Sequence, residues 1–185
     1  MSGLNLLDGQ EVSVFRKAYH SGTSADPYTF PSSDGISIAV APTITAGAYS
    51  AGDAVGEMMT FPDAVLGAGE KGKIKSVVLV DKNDDVLADL EVWLFDSDPS
   101  SVADNAQFDI SDANMLKCVG IIKIAAADYS AALDNSVAVV PDPGIQFHCV
   151  AKDLFAQIIA PYGGSPPTYS STSDLSLMLE IEYKS

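Results

Sequence analysis

From Ile36 onward the chain alternates short apolar runs with clusters of Gly, Pro, Ser, Asn and Asp, and the clearest runs repeat with a period of two. In the last of them Leu175, Leu177, Leu179, Ile181 and Tyr183 fall on one side, while Asp174, Ser176, Met178, Glu180 and Glu182 fall on the other. Successive side chains of a strand point to opposite faces, so this pattern predicts a strand with one face buried. "ADLEVWLFD" puts Leu90, Val92 and Leu94 inward with Asp89 and Glu91 outward, but Trp93 and Phe95 break the polar row, which predicts a strand covered on both faces. Further strands are expected at "ISIAVAPTIT", "DAVGEMMTF", "KIKSVVLVD", "KCVGIIKIA", "SVAVV", "IQFHCV" and "DLFAQIIA". Helical signals are confined to single turns, at "SDANML", where Ser111 can cap the free amides, and at "AADYSA" from Ala126. Short strands in this number, without a long helix, predict an all-β fold, an antiparallel sandwich or barrel, with an antiparallel jelly-roll-like β-sandwich over residues 36–185 the first choice.

Residues 1–35 read differently. "HSGTSADPYTFPSSDG" has almost no apolar periodicity and cannot form a core of its own, which predicts an extended N-terminal arm. Within it, Leu4, Leu6 and Leu7, then Val12, Val14 and Phe15, then Tyr28 and Phe30 are short apolar anchors separated by polar linkers. That spacing suits a segment that docks on a partner, and these eight residues are the candidate contacts. The alternative is that Val12 to Phe15 completes a sheet edge of its own domain.

Composition narrows the partners. The formal charge is −15, from 25 Asp and Glu against 10 Lys and Arg, so a nucleic-acid backbone or an anionic membrane would be repelled by most of this surface. The first ten residues lack the basic start and apolar run of a secretory leader, and no stretch has the length of a transmembrane helix, so a soluble product made in the cytoplasm is expected. Cys118 and Cys149 sit inside apolar runs and read as small buried hydrophobes, with a disulfide the lesser alternative.

Five aspartates lie between Leu94 and Asn114, and their chemistry decides the class of function. An EF-hand loop needs a glycine at position six and a bidentate glutamate at position twelve; from Asp81 the chain supplies Asp81, Asn83 and Asp85, then Val86 and Val92 at those two places. Asp96, Ser97, Asp98 and Pro99 read as a turn. His20 lies in the arm and His148 alternates with Phe147 and Cys149 in a strand; no G-x-S-x-G, H-E-x-x-H or C-x-x-C occurs. "GAGEKGKIK", with Lys71 and Lys73, lacks the Gly-Lys-Ser/Thr of a phosphate loop and reads as a hairpin turn. The expectation is therefore no catalytic residues, no cofactor and no metal site, and acidic loops that serve turns and surface on a scaffold for binding or assembly; an irregular calcium site and paired carboxylates of the glycosidase kind are the lesser alternatives.

Four segments carry a resemblance. Ala41 to Phe61 contains a G-D-x-x-G opening, Lys75 to Ser100 ends in L-F-D-x-x-P, Asp104 to Ile124 begins D-N-x-x-F, and Tyr162 to Tyr183 contains T-Y-x-S-x-S-D-L. In this order they resemble a family of small proteins encoded among the head genes of tailed bacteriophages, over roughly Ala41 to the C-terminus. The resemblance implies a virion head component, a decoration or cement protein with a jelly-roll body on the capsid exterior. Its partner would be the major capsid protein; a small β domain that bridges symmetric shell contacts is expected to associate with itself as a homotrimer or homodimer, and the arm, outside the resembling part, is expected from its own spacing to use its anchors as capsid or inter-subunit contacts. A protein that binds only the expanded shell stabilises that state by its binding free energy and needs no chemistry to do so. The competing expectation is a carbohydrate-binding jelly roll of a phage fibre or host-attachment structure, in which Tyr162, Tyr169 and Trp93 stack on sugars.

Overall fold

A computed structural model describes residues 35–83 and 87–184. Ten strands follow one another: β1 (Gly35–Val40), β2 (Ala54–Phe61), β3 (Lys71–Asp81), β4 (Leu90–Phe95), β5 (Cys118–Ile124), β6 (Tyr129–Ala131), β7 (Ser136–Pro141), β8 (Gln146–His148), β9 (Leu154–Ile159) and β10 (Leu175–Lys184). A single-turn helix, α1 (Asp112–Met115), precedes β5, and a 3₁₀ turn at Ala126–Asp128 precedes β6. The expected arm, with Leu4, Leu6, Leu7, Val12, Val14, Phe15, Tyr28 and Phe30, lies outside the described residues.

The strands form two antiparallel sheets. One has the order β1-β10-β3-β7-β6 with β8 also on β3; the other has the order β2-β9-β4-β5. Pairing is nested: β1 with β10, β2 with β9, β3 with β7 and β8, β4 with β5. First strand with last and second with second-last is the winding of a jelly roll. The expected all-β jelly-roll sandwich is thus the fold observed. β7 and β8 lie end to end along one edge of β3, interrupted at residues 142–145, and together act as one strand.

The alternation read from the sequence sets the core. Leu175, Leu177, Leu179 and Ile181 of β10 are fully buried, as are Leu90, Val92 and Leu94 of β4, and they join one apolar cluster between the sheets. β3 keeps both Ile74 and Val77 inward although they are three apart, because Ser76 pairs with Glu180 and Ile74 with Ile181, leaving Lys75 as the extra residue of a bulge. A second irregularity falls in β2 at Gly56, whose φ is 80° and where a Cβ would sit 2.7 Å from the Pro42 side chain. Only glycine satisfies both conditions. α1 begins where Ser111 accepts a hydrogen bond from the Asn114 amide at 3.4 Å. The expected turn at Ala126 exists, but Tyr129–Ala131 continues as β6 against β7, which the local pattern did not indicate.

The outer faces of the sheets differ. Trp93 of β4 packs against Phe108 at a tilt of 60° with ring centroids 5.2 Å apart, and Phe95 is fully buried, so residues 96–117 cross the four-stranded sheet and cover it as expected. On the six-stranded sheet the outward row is Ala39, Met178, Val78 and Val139 in register, and among the described residues nothing seals it: Ala39 is exposed and Val139 is 51% exposed.

Candidate functional site

Several carboxylates of the loops, Asp104, Asp174 and Asp98 among them, bond backbone and hydroxyl donors. Asp104 accepts from Thr45 Oγ1, Tyr49 OH and the Gly56 amide, each at 2.6 Å. Burial, reinforced by the Asp104 charge, holds the Tyr49 phenol well above its ordinary pKa, so it remains a proton donor to that carboxylate. Around this contact the chain adds two rungs, Asn105 N–H to Ala54 C=O at 2.9 Å and Ala54 N–H to Ala106 C=O at 2.8 Å, and Phe108 N–H bonds Gly52 C=O at 2.8 Å. The G-D-x-x-G and D-N-x-x-F segments are therefore one interlocked unit. Asp174 does the same for the last loop, accepting from the amides of Ser170 and Ser171 at 3.0 and 2.7 Å, while Tyr169 packs edge-on against Tyr49. At the opening turn, Asp98 accepts from the Ser100 amide at 2.8 Å. The expectation of turn chemistry holds at Asp98, but not the surface character at Asp104, Asp174 and Asp81: Asp104 is half-buried and the other two are buried.

At the end of the sandwich where the 160–174 loop begins, a cleft of about 270 Å³ opens between β4, β5 and that loop. Asp89 builds its walls: one oxygen accepts from the Ala126 amide at 2.9 Å and the other from the Ser165 amide at 3.4 Å. Glu91 accepts from Trp93 Nε1 at 3.0 Å and faces Lys123 Nζ at 3.5 Å, and the lysine side chain is 80% exposed. Tyr162, Gly163 and Gly164 form the rim. The phenol end of Tyr162 lies against Gly52, where a Cβ would come within 2.5 Å of the ring, and its hydroxyl accepts from Gln107 Nε2. The residue as a whole is nonetheless 72% exposed. An aromatic side chain is thus held in one orientation beside a cleft with polar walls.

The three aromatics considered for stacking separate. Tyr169 is buried against Tyr49, and Trp93 is half-buried against Phe108 with its N–H taken by Glu91; Tyr162 is the most exposed of the three. His148 is exposed beside Asp96 at 3.8 Å. Cys118 and Cys149 are free thiols. Burial, with Asp96 and Asp153 nearby, pushes Cys149 up to about 12, which keeps it protonated and unreactive. Cys118 is half-buried rather than buried. Lys73 pairs with Asp142 at 2.8 Å, and Gly67 to Glu70 closes as a turn with a 3.1 Å backbone bond. Among the described residues, no three His, Cys, Asp or Glu side chains converge as metal ligands, and no helix is long and apolar enough to cross a membrane.

No family model and no curated protein matches the chain. Among solved structures, the C-terminal domain of EclA, a sugar-binding protein, is similar at 10% identity with a TM-score of 0.26, over 88% of this chain and 87% of that one.

Proposed function

We propose that the protein is a decoration protein of a tailed-bacteriophage head, bound to the outer surface of the expanded shell and stabilising it against internal pressure. The supporting observation is the use made of the residues that carry the resemblance. Gly52 to Gly56, Asp104 to Phe108 and Thr168 to Asp174 fasten loops to one another, a structural use of these segments that supports a scaffold for attachment. A rigid β body with an apolar-anchored arm suits attachment to a symmetric shell as a closed oligomer, a homotrimer or homodimer, with the major capsid protein as partner. Binding to the expanded state alone would stabilise it by mass action. Co-sedimentation of purified protein with expanded and unexpanded heads tests the reading. Saturable binding to expanded heads, with a raised melting temperature of the heads, is expected. Deleting residues 1–34 should weaken attachment while leaving the body's own melting temperature in place. Equal retention by both head forms, or by neither, overturns the proposal.

A second reading, that the body binds saccharide, is favoured by one observation, the exposed and oriented ring of Tyr162 at the cleft. Retention on a glycan array tests it, and a blank array would count against it.

A further inference from the structure

We infer that the cleft beside Tyr162 is a subsite for a single neutral pyranose ring; this deepens the saccharide reading and rests on it. A pyranose has a face of C–H groups and a rim of hydroxyls, so it needs an aromatic surface on one side and mixed donors and acceptors around it. Tyr162 supplies the surface. Its phenol end is seated on Gly52 and tied to Gln107, so little ring rotation has to be lost on binding. Gly163 stands next to it with φ 82°, and a Cβ added there would meet nothing within 4 Å, so the rim is bare backbone that a hydroxyl can approach.

The polar wall selects charge. Asp89 lines it with both oxygens bonded to amides, and Glu91 and Lys123, partners across β4 and β5, stand side by side 3.5 Å apart. An anionic sugar meets two carboxylates, and a cationic one meets the exposed ammonium. A neutral ring avoids both penalties, and its hydroxyls can accept from Lys123 and donate to Glu91. The volume, about 270 Å³, lies just under the usual ~300–1,000 Å³ of drug-sized sites, which matches one ring and not a chain.

The test is amide-resolved NMR titration of the full-length protein with cellotriose, maltotriose and chitotriose, and with trigalacturonate as the anionic comparison. At least one neutral trisaccharide should bind with Kd on the order of 1 mM, moving the amides of Lys123, Ala125, Gly163 and Gly164. Tyr162→Ala should weaken it about tenfold through loss of stacking, and Tyr162→Phe should stay within about threefold of the parent. Melting curves confirm that both variants fold. Binding that moves other amides and is unchanged in Tyr162→Ala overturns this site but leaves the saccharide reading standing. Tighter binding of trigalacturonate overturns the neutral-ligand assignment, and no binding by any probe overturns both.

Discussion

Gln157 projects from the outer face of the four-stranded sheet and is fully buried, whereas Val139 projects from the outer face of the six-stranded sheet and is 51% exposed. Hydropathy alone would reverse the two. The glutamine is covered because residues 96–117 cross its sheet, and it stitches them down: its Nε2 donates to Val102 C=O at 2.7 Å and to Gly56 C=O at 3.1 Å, and its Oε1 accepts from the Val102 amide at 3.4 Å. A loop can lie on a sheet only if its polar groups find partners there, and one amide side chain serves both groups of Val102. The valine row on the other sheet has no such cover among the described residues. Burial on an outer face therefore follows from which segment can be tied across it.

The largest expected effect lies in what the two sheets share, their inner faces. Leu177→Ala or Leu179→Ala should cost about 2–5 kcal/mol, and Glu180→Ala, at an exposed side chain that accepts from Ser76 Oγ at 2.8 Å, should cost little. Equal costs in chemical denaturation would show that β10 is sealed on both sides and would remove the contrast between the faces.

Next comes the fastening of the cover. Asp104→Ala leaves Thr45, Tyr49 and the Gly56 amide without their acceptor, and should cost about 3 kcal/mol, in the range for hydrogen bonds to a charged group. Because Trp93 is the sole tryptophan and lies under the cover, its emission should shift to the red as the loop loosens. An unshifted spectrum would mean that the cover does not depend on Asp104.

Phe108→Ala sharpens the same point with a smaller change, about 1–2 kcal/mol for a half-buried ring packed against Trp93, again with a red shift. Val139→Lys on the bare face should alter the stability of the isolated protein by no more than about 0.5 kcal/mol. A loss several times larger, read by thermal melting, would reveal that this face is covered after all.

The smallest effect is electrostatic and belongs to the bare side. Hydrogen bonding from Lys73 lowers the Asp142 pKa, and hydrogen bonding from Lys184 lowers that of Glu182. A folded-state pKa below the unfolded value contributes stability that is present above the ordinary carboxylate range and lost as pH falls through the depressed values. Asp142 is exposed and Glu182 half-buried at the surface, where solvent screens the pairs, so the expected slope is shallow. Lys73→Met should flatten it further in melting temperatures recorded from neutral to acid pH; an unchanged slope would assign the acid sensitivity elsewhere.

By itself the sequence determined an all-β fold and the inward faces of its main strands; that they form a two-sheet sandwich was decided by the pairing. Side-chain alternation has a period of two wherever a strand has one buried face, so Leu175 to Ile181 and Leu90 to Leu94 announced both strand and inward face, and the break at Trp93 announced a cover. The Ser111 cap and the Asp98 turn were legible too, because their partners lie within a few residues. β6 was not, because three residues become a strand only through β7. Nor was the identity of the cover, the role of Asp104, or the split between Tyr162 and Tyr169, two aromatics of one loop with similar local sequence. Asp104 bonds Thr45, Tyr49 and Gly56 across 59, 55 and 48 positions, and Tyr162 is oriented by Gly52 and Gln107. Hydrogen bonds and ring contacts act over a few ångströms, and only the winding of the jelly roll brings such distant segments that close.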